Sequence, residues 1–231
     1  NPDWRIIGAD SKGNQVRGLA YFLGDPVFID TLLNGDIHQY NADLLTKIVQ
    51  GMGIDSVVTR SQAKRILYAF LFGASGAKLW SYIFGVMNAN LGNQLKEEFI
   101  KAVPGFQKLV KKLENMFEKN RKGQYSFIRS IVGNKIYVDS KHKLLVYLLQ
   151  ATEKITCAAA LGETCLRLDA HEIPYVPLIF YHDEIQFMTP DEYAEDAKMY
   201  ALEGFQEGPK QFGINIMAGS SGVGLTWNDT H

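Results

Sequence analysis

The sequence predicts an α+β protein, and three observations lead to that class. A few short apolar strands are mixed with many helical periods, without the regular strand–helix alternation of a doubly wound parallel sheet. The 231 residues are enough to bury a sizeable core, and 46% apolar with 21% charged residues is an ordinary globular composition. There is no run of eighteen uncharged apolar residues and no basic-then-apolar leader at the start, so we expect no membrane span and a cytoplasmic location.

The first element is a short apolar strand, WRII, that ends near Asp10, and a helical period then runs through Val16, Leu19 and Leu23. Asp10 is therefore expected where a strand gives way to a helix. Further on, TRSQAKRILYAFLFG begins with Thr59 and Gln62 at capping-box spacing. This spacing predicts a well-bounded helix over 60–72.

The second half of the chain is predicted to contain more helices and two hairpins. Residues 76 to about 120 have mostly helical periods, 133–140 read as one arm of a short hairpin, and a long amphipathic helix follows, expected to end near Gly162 or a few residues beyond. LIFYHDEIQF at 178–187 predicts a hairpin between buried strands, with its polar residues at the turn. Thr189 and Glu192 then predict the start of a helix that runs to about Glu207.

Charge is distributed very unevenly along the chain, although its formal net value is −1. Residues 1–55 carry 4 basic and 7 acidic side chains, 56–145 carry 16 and 5, and 146–231 carry 4 and 13. The basic middle third predicts contact with a polyanion, and the alternative is a solvated basic helix face. Cys157 and Cys165 lie in an Ala-rich helical stretch, which favours reduced thiols over a disulfide or zinc site.

One helix face has a composition suited to a nucleotide. Its members recur every four residues and share that face over roughly 18 Å; they are Arg60, Lys64, Tyr68 and Phe72. The two cations lie at the helix N-terminus, where free amides also attract anions, and the two rings offer a stacking surface for a base. The alternative is that the rings belong to the core and the cations are solvated.

Two acids, Asp10 and Asp183, each end an apolar strand. If the fold brings them within about 4 Å, their repulsion is on the order of 4 kcal/mol at an effective dielectric of 20. Such a pair needs a divalent cation or a shared proton. Beside a phosphate-binding helix, it points to magnesium and to two-metal phosphoryl transfer.

These segments resemble the palm and fingers of family A DNA polymerases, the DNA polymerase I family, and especially its phage replicative branch. GADSKGNQVR resembles motif A, RSQAKRILYAFLFG resembles motif B, and YHDEIQF resembles motif C, in the family's order. GDIH at 35–38, YLLQ at 147–150 and the terminal His231 agree with it as well. The resemblance covers nearly the whole chain, and motif B between A and C is its most specific part.

The resemblance implies a template-directed DNA polymerase that binds two Mg²⁺ ions. Asp10 and Asp183, with the backbone carbonyl of Ser11, would hold the metals, and Glu184 would lie close by without being an obligatory ligand. Binding of the incoming deoxynucleoside triphosphate is implied for Arg60, Lys64, Tyr68, Phe72, Gln15, His38 and Ser11, with Lys64 also catalytic. Gln150 and His182 would contact the primer-template DNA.

The chain departs from the family pattern at several positions. Gln15 stands where the family usually has the Glu that rejects a ribose hydroxyl, and Phe72 stands where it usually has Tyr. Tyr68 replaces a frequent Phe, and Val146 replaces a DNA-contacting Asn. The Gln15 and Phe72 changes are expected to be coupled, since a neutral amide has less need of a partner hydroxyl.

The resemblance also implies a division into subdomains. We expect 1–40 to be palm with motif A, 41–145 to be fingers, and 146–231 to be palm with motif C and a C-terminal helix. Because the first residue is Asn1 rather than Met, we expect a C-terminal portion of something longer. A thumb and any exonuclease domain are expected to come from an N-terminal part that this chain needs as a partner for full activity.

Three other functions remain open at this point. A single-subunit RNA polymerase or a reverse transcriptase could share the palm, and Gln15 keeps that reading alive. A binding-only relative is disfavoured, because a binding surface has no need of buried acid pairs. A metal phosphohydrolase built on His182 and Asp183 lacks further His or Asp residues at ligand spacing.

Overall fold

The computed structural model describes residues 3–230, and the expectations for Asn1 and His231 lie outside the described residues. The chain separates into two compact units. The first, here called the sheet unit, comprises Asn1–Gly18 and Gln150–His231; the second, the helical unit, comprises Leu19–Leu149. Residues 19–40, grouped with motif A in the expected subdivision, belong to the helical unit.

The sheet unit is built on a four-stranded antiparallel sheet in the order β4-β5-β1-β6. Its strands are β1 (Trp4–Ser11), β4 (Val176–Tyr181), β5 (Glu184–Pro190) and β6 (Gly219–Gly224). Helix α9 (Ala194–Glu207) belongs to this unit, whereas α1 (Asn14–Leu23) and α8 (Leu144–Ala170) have residues in both units. The mixture of antiparallel sheet and helices confirms the α+β class.

The sheet has one apolar and one polar face because side chains alternate along each strand. Ile7 and Ala9 of β1 and Ile185 and Phe187 of β5 are buried in one cluster with residues of α8 and α9. The opposite face carries Gly8, Asp10, Glu184 and Gln186, in which Asp10 lies opposite Glu184 and Gly8 opposite Gln186. The polar residues of both strands are therefore collected on one face.

The helical unit consists of helices α2 to α7 and a two-stranded hairpin. The elements are α2 (Pro26–Asn34), α3 (Ile37–Gly51), α4 (Arg60–Leu71), α5 (Gly76–Phe84), α6 (Ala89–Ala102), α7 (Phe106–Lys119), β2 (Ser126–Arg129) and β3 (Lys135–Val138). Phe70 of α4 lies 5.4 Å from Phe99 and 5.2 Å from Phe106, measured between ring centroids. The buried side of α4 thus packs into an aromatic core.

Several sequence-based boundaries are confirmed and others are wrong. The capping box of Thr59 and Gln62 is present, and α4 ends at Leu71 with Phe72 as its C-cap. Helix α8 does not stop near Gly162 but continues to Ala170. Gly162 has open space around its Cα, so it lowers helix stability only through the low helix propensity of glycine. Helix α9 begins at Ala194 rather than at Thr189, whose hydroxyl donates to the carbonyl of Pro174 at 2.8 Å.

The two strands of the motif C hairpin differ in burial. Strand β5 is buried almost throughout, as expected, but β4 is an edge strand whose apolar side chains are mostly exposed. The expectation of a buried strand on each side of the turn is therefore wrong for β4. An edge strand has no neighbour on its outer side to cover it.

One helical segment among residues 3–230, Lys141–Ala170, is long and apolar enough to cross a membrane, with a mean hydropathy of 1.3. That is weak evidence, because a core helix of a soluble protein meets the same criterion. Within this segment, 44% of the eighteen-residue apolar stretch is buried inside the protein. Cys157, Ala160 and Leu168 of α8 pack into the core of the sheet unit.

Candidate active site

The sheet unit brings Asp10 and Asp183 to the same end of its sheet. Asp10 is the second-last residue of β1, and Asp183 lies in the two-residue turn between β4 and β5. The backbone amide of Ser11 donates to the carbonyl of Asp183 at 2.9 Å, which ties the end of β1 to that turn. Two acids that are 173 positions apart in sequence are thereby held at one place by backbone hydrogen bonds.

The turn itself has an uncommon backbone. His182 has a φ of 52°, one of two positive values among described non-glycine residues. A positive φ at the first central position matches the hairpin turns whose twist suits the flanking strands, although glycine usually occupies it. His182 is exposed, and its ring lies 4.1 Å from that of Tyr181. The strand ends thus present His182 and Asp183 together.

Glu184 is buried on the polar face and is already held by neighbours. Its carboxylate accepts a hydrogen bond from the indole nitrogen of Trp227 at 2.8 Å and another from the amide of Gln186. Beside it is a pocket of about 370 Å³ whose lining includes Asp10, Glu184 and Asp229. The structure therefore places Glu184 near Asp10 but fixes its orientation through Trp227.

A fourth acid at this site, Glu153 of α8, was missed from the sequence. It is 8% exposed, and its carboxylate accepts a hydrogen bond from the side-chain amide of Gln15. Burial, then the negative charges of Asp183 and Asp10, raise the pKa of Glu153 to about 7, while the Gln15 hydrogen bond opposes the rise. No sequence signal marked this residue, because a single Glu on an amphipathic helix is usually solvated.

A polar network lies next to this acid group. The side-chain amide of Asn14 donates to the hydroxyl of Ser11 at 2.7 Å and reaches Thr156 and Cys157 at 3.4 Å. Burial and the nearby negative charges of Glu153 and Asp183 raise the pKa of the Cys157 thiol to about 12. Cys157 is therefore an unreactive thiol at neutral pH, as expected from its helical setting.

The donors at this site fit a hard divalent cation. Carboxylate and carbonyl oxygens are the ligands that Mg²⁺ prefers, and burial together with the negative charges of Asp183 and Asp10 raises the pKa of Glu153. Within residues 3–230, no group of three or more His, Cys, Asp or Glu side chains is arranged to enclose an ion. The chain thus offers an acid pair rather than a closed metal cage.

The helical unit carries the second set of expected site residues, on the solvent side of α4. Arg60, Lys64 and Phe72 are exposed and Tyr68 is half-buried, while Ala63, Ile66 and Leu67 on the opposite side are buried. Phe72, 51% exposed, is not a core residue. The cation and aromatic positions therefore form one face, as the four-residue spacing predicted, and that face is accessible.

His38 and Asp36 at the start of α3 adjoin this face. The ring of His38 lies 6.0 Å from that of Tyr68, and Arg60 forms a 2.6 Å ion pair with Asp36. Burial, with the positive charges of Lys64 and Arg60, lowers the pKa of His38, whose Nδ1 is buried without a hydrogen-bond partner. The hydrogen bond from Arg60 and those from the α3 amides lower the pKa of Asp36 to about 2.

The role of Asp36 was also missed in the sequence. Asp36 is the N-cap of α3 and accepts hydrogen bonds from the amides of His38 and Gln39. Its position in the sequence therefore indicates only a capping residue. Its contact with the second partner, Arg60, spans 24 positions and depends on how α3 and α4 pack.

Gln150, expected to contact DNA, is exposed on α8 one turn before Glu153.

Comparison with known proteins identifies the family to which the chain is similar. Residues 1–229 match the family model described as DNA polymerase family A. The chain is 25% identical to the DNA-directed DNA polymerase of Enterobacteria phage T3, over 99% of this chain and 34% of that protein. It is 26% identical to the DNA-directed DNA polymerase of Escherichia phage T7, over 79% of this chain and 27% of that protein. It is also 26% identical to that of Escherichia phage Phieco32, over 93% of this chain and 33% of that protein. The chain spans about a third of the length of these relatives.

Proposed function

The chain belongs to DNA polymerase family A, and from that premise we propose that it carries the nucleotidyl-transfer centre of a template-directed DNA polymerase. The sheet unit is the palm and the helical unit the fingers. The observation that carries the proposal is the acid group of the sheet unit, in which Asp10 and Asp183 both act on the pKa of the buried Glu153. An acid group of that kind is suited to cations at a site of phosphoryl transfer.

Asp10 and Asp183, with the backbone carbonyl of Ser11, would hold two Mg²⁺ ions. When bound, the metal supplies activation of the primer 3′-hydroxyl and neutralisation of the pyrophosphate that leaves. The residues of the chain keep the two carboxylates in place through the Ser11 amide and the β4–β5 turn. Glu184, anchored by Trp227, maintains the negative field next to Asp10 without binding the metal directly.

The exposed face of α4 receives the deoxynucleoside triphosphate. Arg60 and Lys64 bind the phosphates at the N-terminus of the helix, where the dipole also favours an anion. Lys64 neutralises the charge that develops on the leaving pyrophosphate, and neutral His38 donates to the β-phosphate side. Tyr68 and Phe72 contact the sugar and base.

Gln150 and His182 contact the primer-template DNA. Gln15 lies near the sugar, and its amide is bound by Glu153. A neutral side chain engaged in this way leaves ribonucleotide use, the activity of an RNA polymerase, as a second candidate activity. Incorporation of ribonucleotides and deoxyribonucleotides, measured side by side on one primed template, separates the two.

We further propose that a thumb-bearing N-terminal part acts with this chain, in the cytoplasm of an infected bacterial cell. The support is the length of the relatives, of which the matched region is 34% in phage T3 and 27% in phage T7. A primer-template duplex needs to be gripped for repeated addition. We therefore expect weak synthesis by these 231 residues alone.

The test is primer extension with Mg²⁺ and deoxynucleotides, using the chain alone and together with an N-terminal polymerase part. Asp183→Asn is expected to reduce extension by at least about a hundredfold, because the loss of a metal ligand exceeds the usual effect of an outer partner. Glu192→Gln, which removes an exposed acid of the same unit, is the matched control and leaves extension unchanged. Processive extension by the chain alone would contradict the expected dependence, and equal activity of Asp183→Asn would contradict the metal assignment.

A further inference from the structure

The β2–β3 hairpin of the helical unit exposes an aromatic and cationic surface that the proposed active site does not use. Four side chains on one face of the hairpin form this surface, here called the hairpin face: Phe127, Arg129, Lys135 and Tyr137. Phe127 lies opposite Tyr137, and Arg129 lies opposite Lys135. Because residues two apart share a face of a strand, all four project to the same side.

The opposite side of the hairpin is buried. Ser126, Ile128 and Val138 are 2%, 0% and 1% exposed, whereas Tyr137 on the hairpin face is 65% exposed. The side-chain amide of Asn120 donates to the carbonyl of Phe127 at 3.0 Å, and the hydroxyl of Ser126 donates to that of Phe117. The hairpin is thus anchored on α7 and presents its outer face on a rigid support.

The rings and cations of this face are in contact with one another. Lys135 Nζ lies 4.9 Å and the Arg129 guanidinium 5.8 Å from the centroid of the Phe127 ring. The rings of Phe127 and Tyr137 are 6.2 Å apart in an edge arrangement. Beside them is a pocket of about 170 Å³ lined in part by Lys122 and Tyr125. Tyr125 is itself 56% exposed.

The charge around the hairpin has one sign. Residues 121–143 contain six Lys or Arg and one acid, Asp139. A strand face that alternates exposed rings with cations matches what single-stranded nucleic acid requires, namely stacking surfaces for bases and positive charge for phosphates. An acidic protein segment would use the cations but has no use for two exposed tyrosines.

We propose that the hairpin face, with Tyr125, binds a single strand of nucleic acid outside the nucleotidyl-transfer centre. Bases stack on Tyr137 and Tyr125, and Lys135 and Arg129 contact the phosphates. The proposal rests on the proposed function only in its choice of DNA as the physiological strand. Binding is independent of the metal acids and of the incoming nucleotide.

The test is the binding of a fluorescein-labelled oligo-dT to the full chain, followed by fluorescence anisotropy without Mg²⁺ or nucleotide. Tyr137→Leu is expected to weaken binding about tenfold, since stacking on one ring commonly contributes that much, and Tyr137→Phe is expected to retain binding. Lys135→Gln is expected to reduce the slope of log affinity against log salt by about 0.7, the single-strand value for one phosphate. Lys108→Gln, an exposed cation on α7 outside the hairpin face, is the matched control and leaves both values unchanged.

A second comparison separates this surface from the active site. Asp183→Asn is expected to bind the oligonucleotide as the unaltered chain does, even though it lacks polymerase activity. Equal affinities of the Tyr137→Leu and Tyr137→Phe chains would overturn the proposal. So would displacement of the oligonucleotide by poly-glutamate at equal charge concentration, which would instead identify a site for acidic protein segments.

Discussion

The side-chain amide of Gln15 donates a hydrogen bond to the carboxylate of Glu153. This contact joins a residue of the segment that resembles motif A to a buried acid of α8, and both lie beside the acid pair. Burial of Glu153, together with the negative charges of Asp183 and Asp10, raises the pKa of its carboxyl group to about 7. The site therefore contains an acid whose charge changes near neutral pH.

Glu153→Gln is expected to change how stability depends on pH. The folded pKa of about 7 lies above the ordinary value of 4.5, so the native chain holds a proton that the unfolded chain loses between those values. The contribution of Glu153 to stability therefore falls as pH rises from 4.5 to 7, and the substituted chain escapes this loss. Relative to the unaltered chain, Glu153→Gln is expected to gain about 2 kcal/mol of unfolding free energy between pH 4.5 and pH 8.

Urea unfolding in EDTA at pH 4.5, 6 and 8 measures this difference. Glu192→Gln, an exposed acid of the same unit, serves as the control. A constant difference between Glu153→Gln and the unaltered chain across all three pH values would show that Glu153 has the same pKa in the folded and the unfolded chain.

Asp36→Asn is expected to strengthen the binding of a nucleoside triphosphate to the helical unit. Asp36 competes for the guanidinium of Arg60, and Asn retains the capping oxygen of α3 while removing the charge. We expect the Kd for a deoxynucleoside triphosphate to fall about threefold, as measured by titration calorimetry. Because the pKa of Asp36 is lowered to about 2, the difference between the two chains should be the same at pH 6 and pH 8. Asp43→Asn, on the exposed surface of α3, should leave the Kd unchanged.

Trp227→Phe is expected to destabilise the sheet unit. The substitution keeps an aromatic ring but removes the N–H that donates to Glu184, so a buried carboxylate loses one of its donors. The expected cost is about 2 kcal/mol, measured as a shift of the urea midpoint at unchanged m-value. If Trp227→Phe in a Glu184→Gln background costs as much as in the unaltered chain, the hydrogen bond is not the cause.

Two glycine substitutions are expected to have opposite effects. A Cβ on Gly92 would lie 2.1 Å from the carbonyl oxygen of Gly76, so Gly92→Ala forces α5 and α6 apart and should cost about 3 kcal/mol. A Cβ on Gly162 of α8 meets no atom within 4 Å, so Gly162→Ala should stabilise by about 0.5–1 kcal/mol. Thermal unfolding followed by circular dichroism distinguishes the two. If Gly92→Ala leaves the unfolding temperature unchanged, the two helices can separate at little cost in free energy.

The elements with strong local signals were predictable from the sequence. Helix α4 has both a capping box and a four-residue period, and the β4–β5 hairpin is marked by apolar runs around a polar centre. Strand β6 had no such signal, because GSSGVG contains no residue with high strand propensity except Val223. Its small residues serve a tertiary contact, since a Cβ on Gly222 would lie 2.8 Å from the backbone of Thr230.

The candidate site was predictable where a residue type and a local position sufficed. The strand-end positions of Asp10 and Asp183 follow from apolar patterning. The shared face of α4 follows from its four-residue spacing, although the spacing left the exposure of the two rings open. The partners Glu153 and Asp36 did not follow, because their contacts with Gln15 and Arg60 span 138 and 24 positions. Only the packing of helices determines which distant side chains meet, and packing leaves no local signature.

The division of the sheet unit into Asn1–Gly18 and Gln150–His231 has a kinetic consequence. Strand β1 pairs on one side with β5 and on the other with β6, so the sheet closes only after a very long loop of chain. Loop-closure entropy and high contact order make such pairing slow. The helical unit is one continuous stretch and can fold while the rest is still being synthesised. Asp10 and Asp183 therefore meet as a late event in folding, and before that event the acid group of the sheet unit is not assembled, whatever the state of α4.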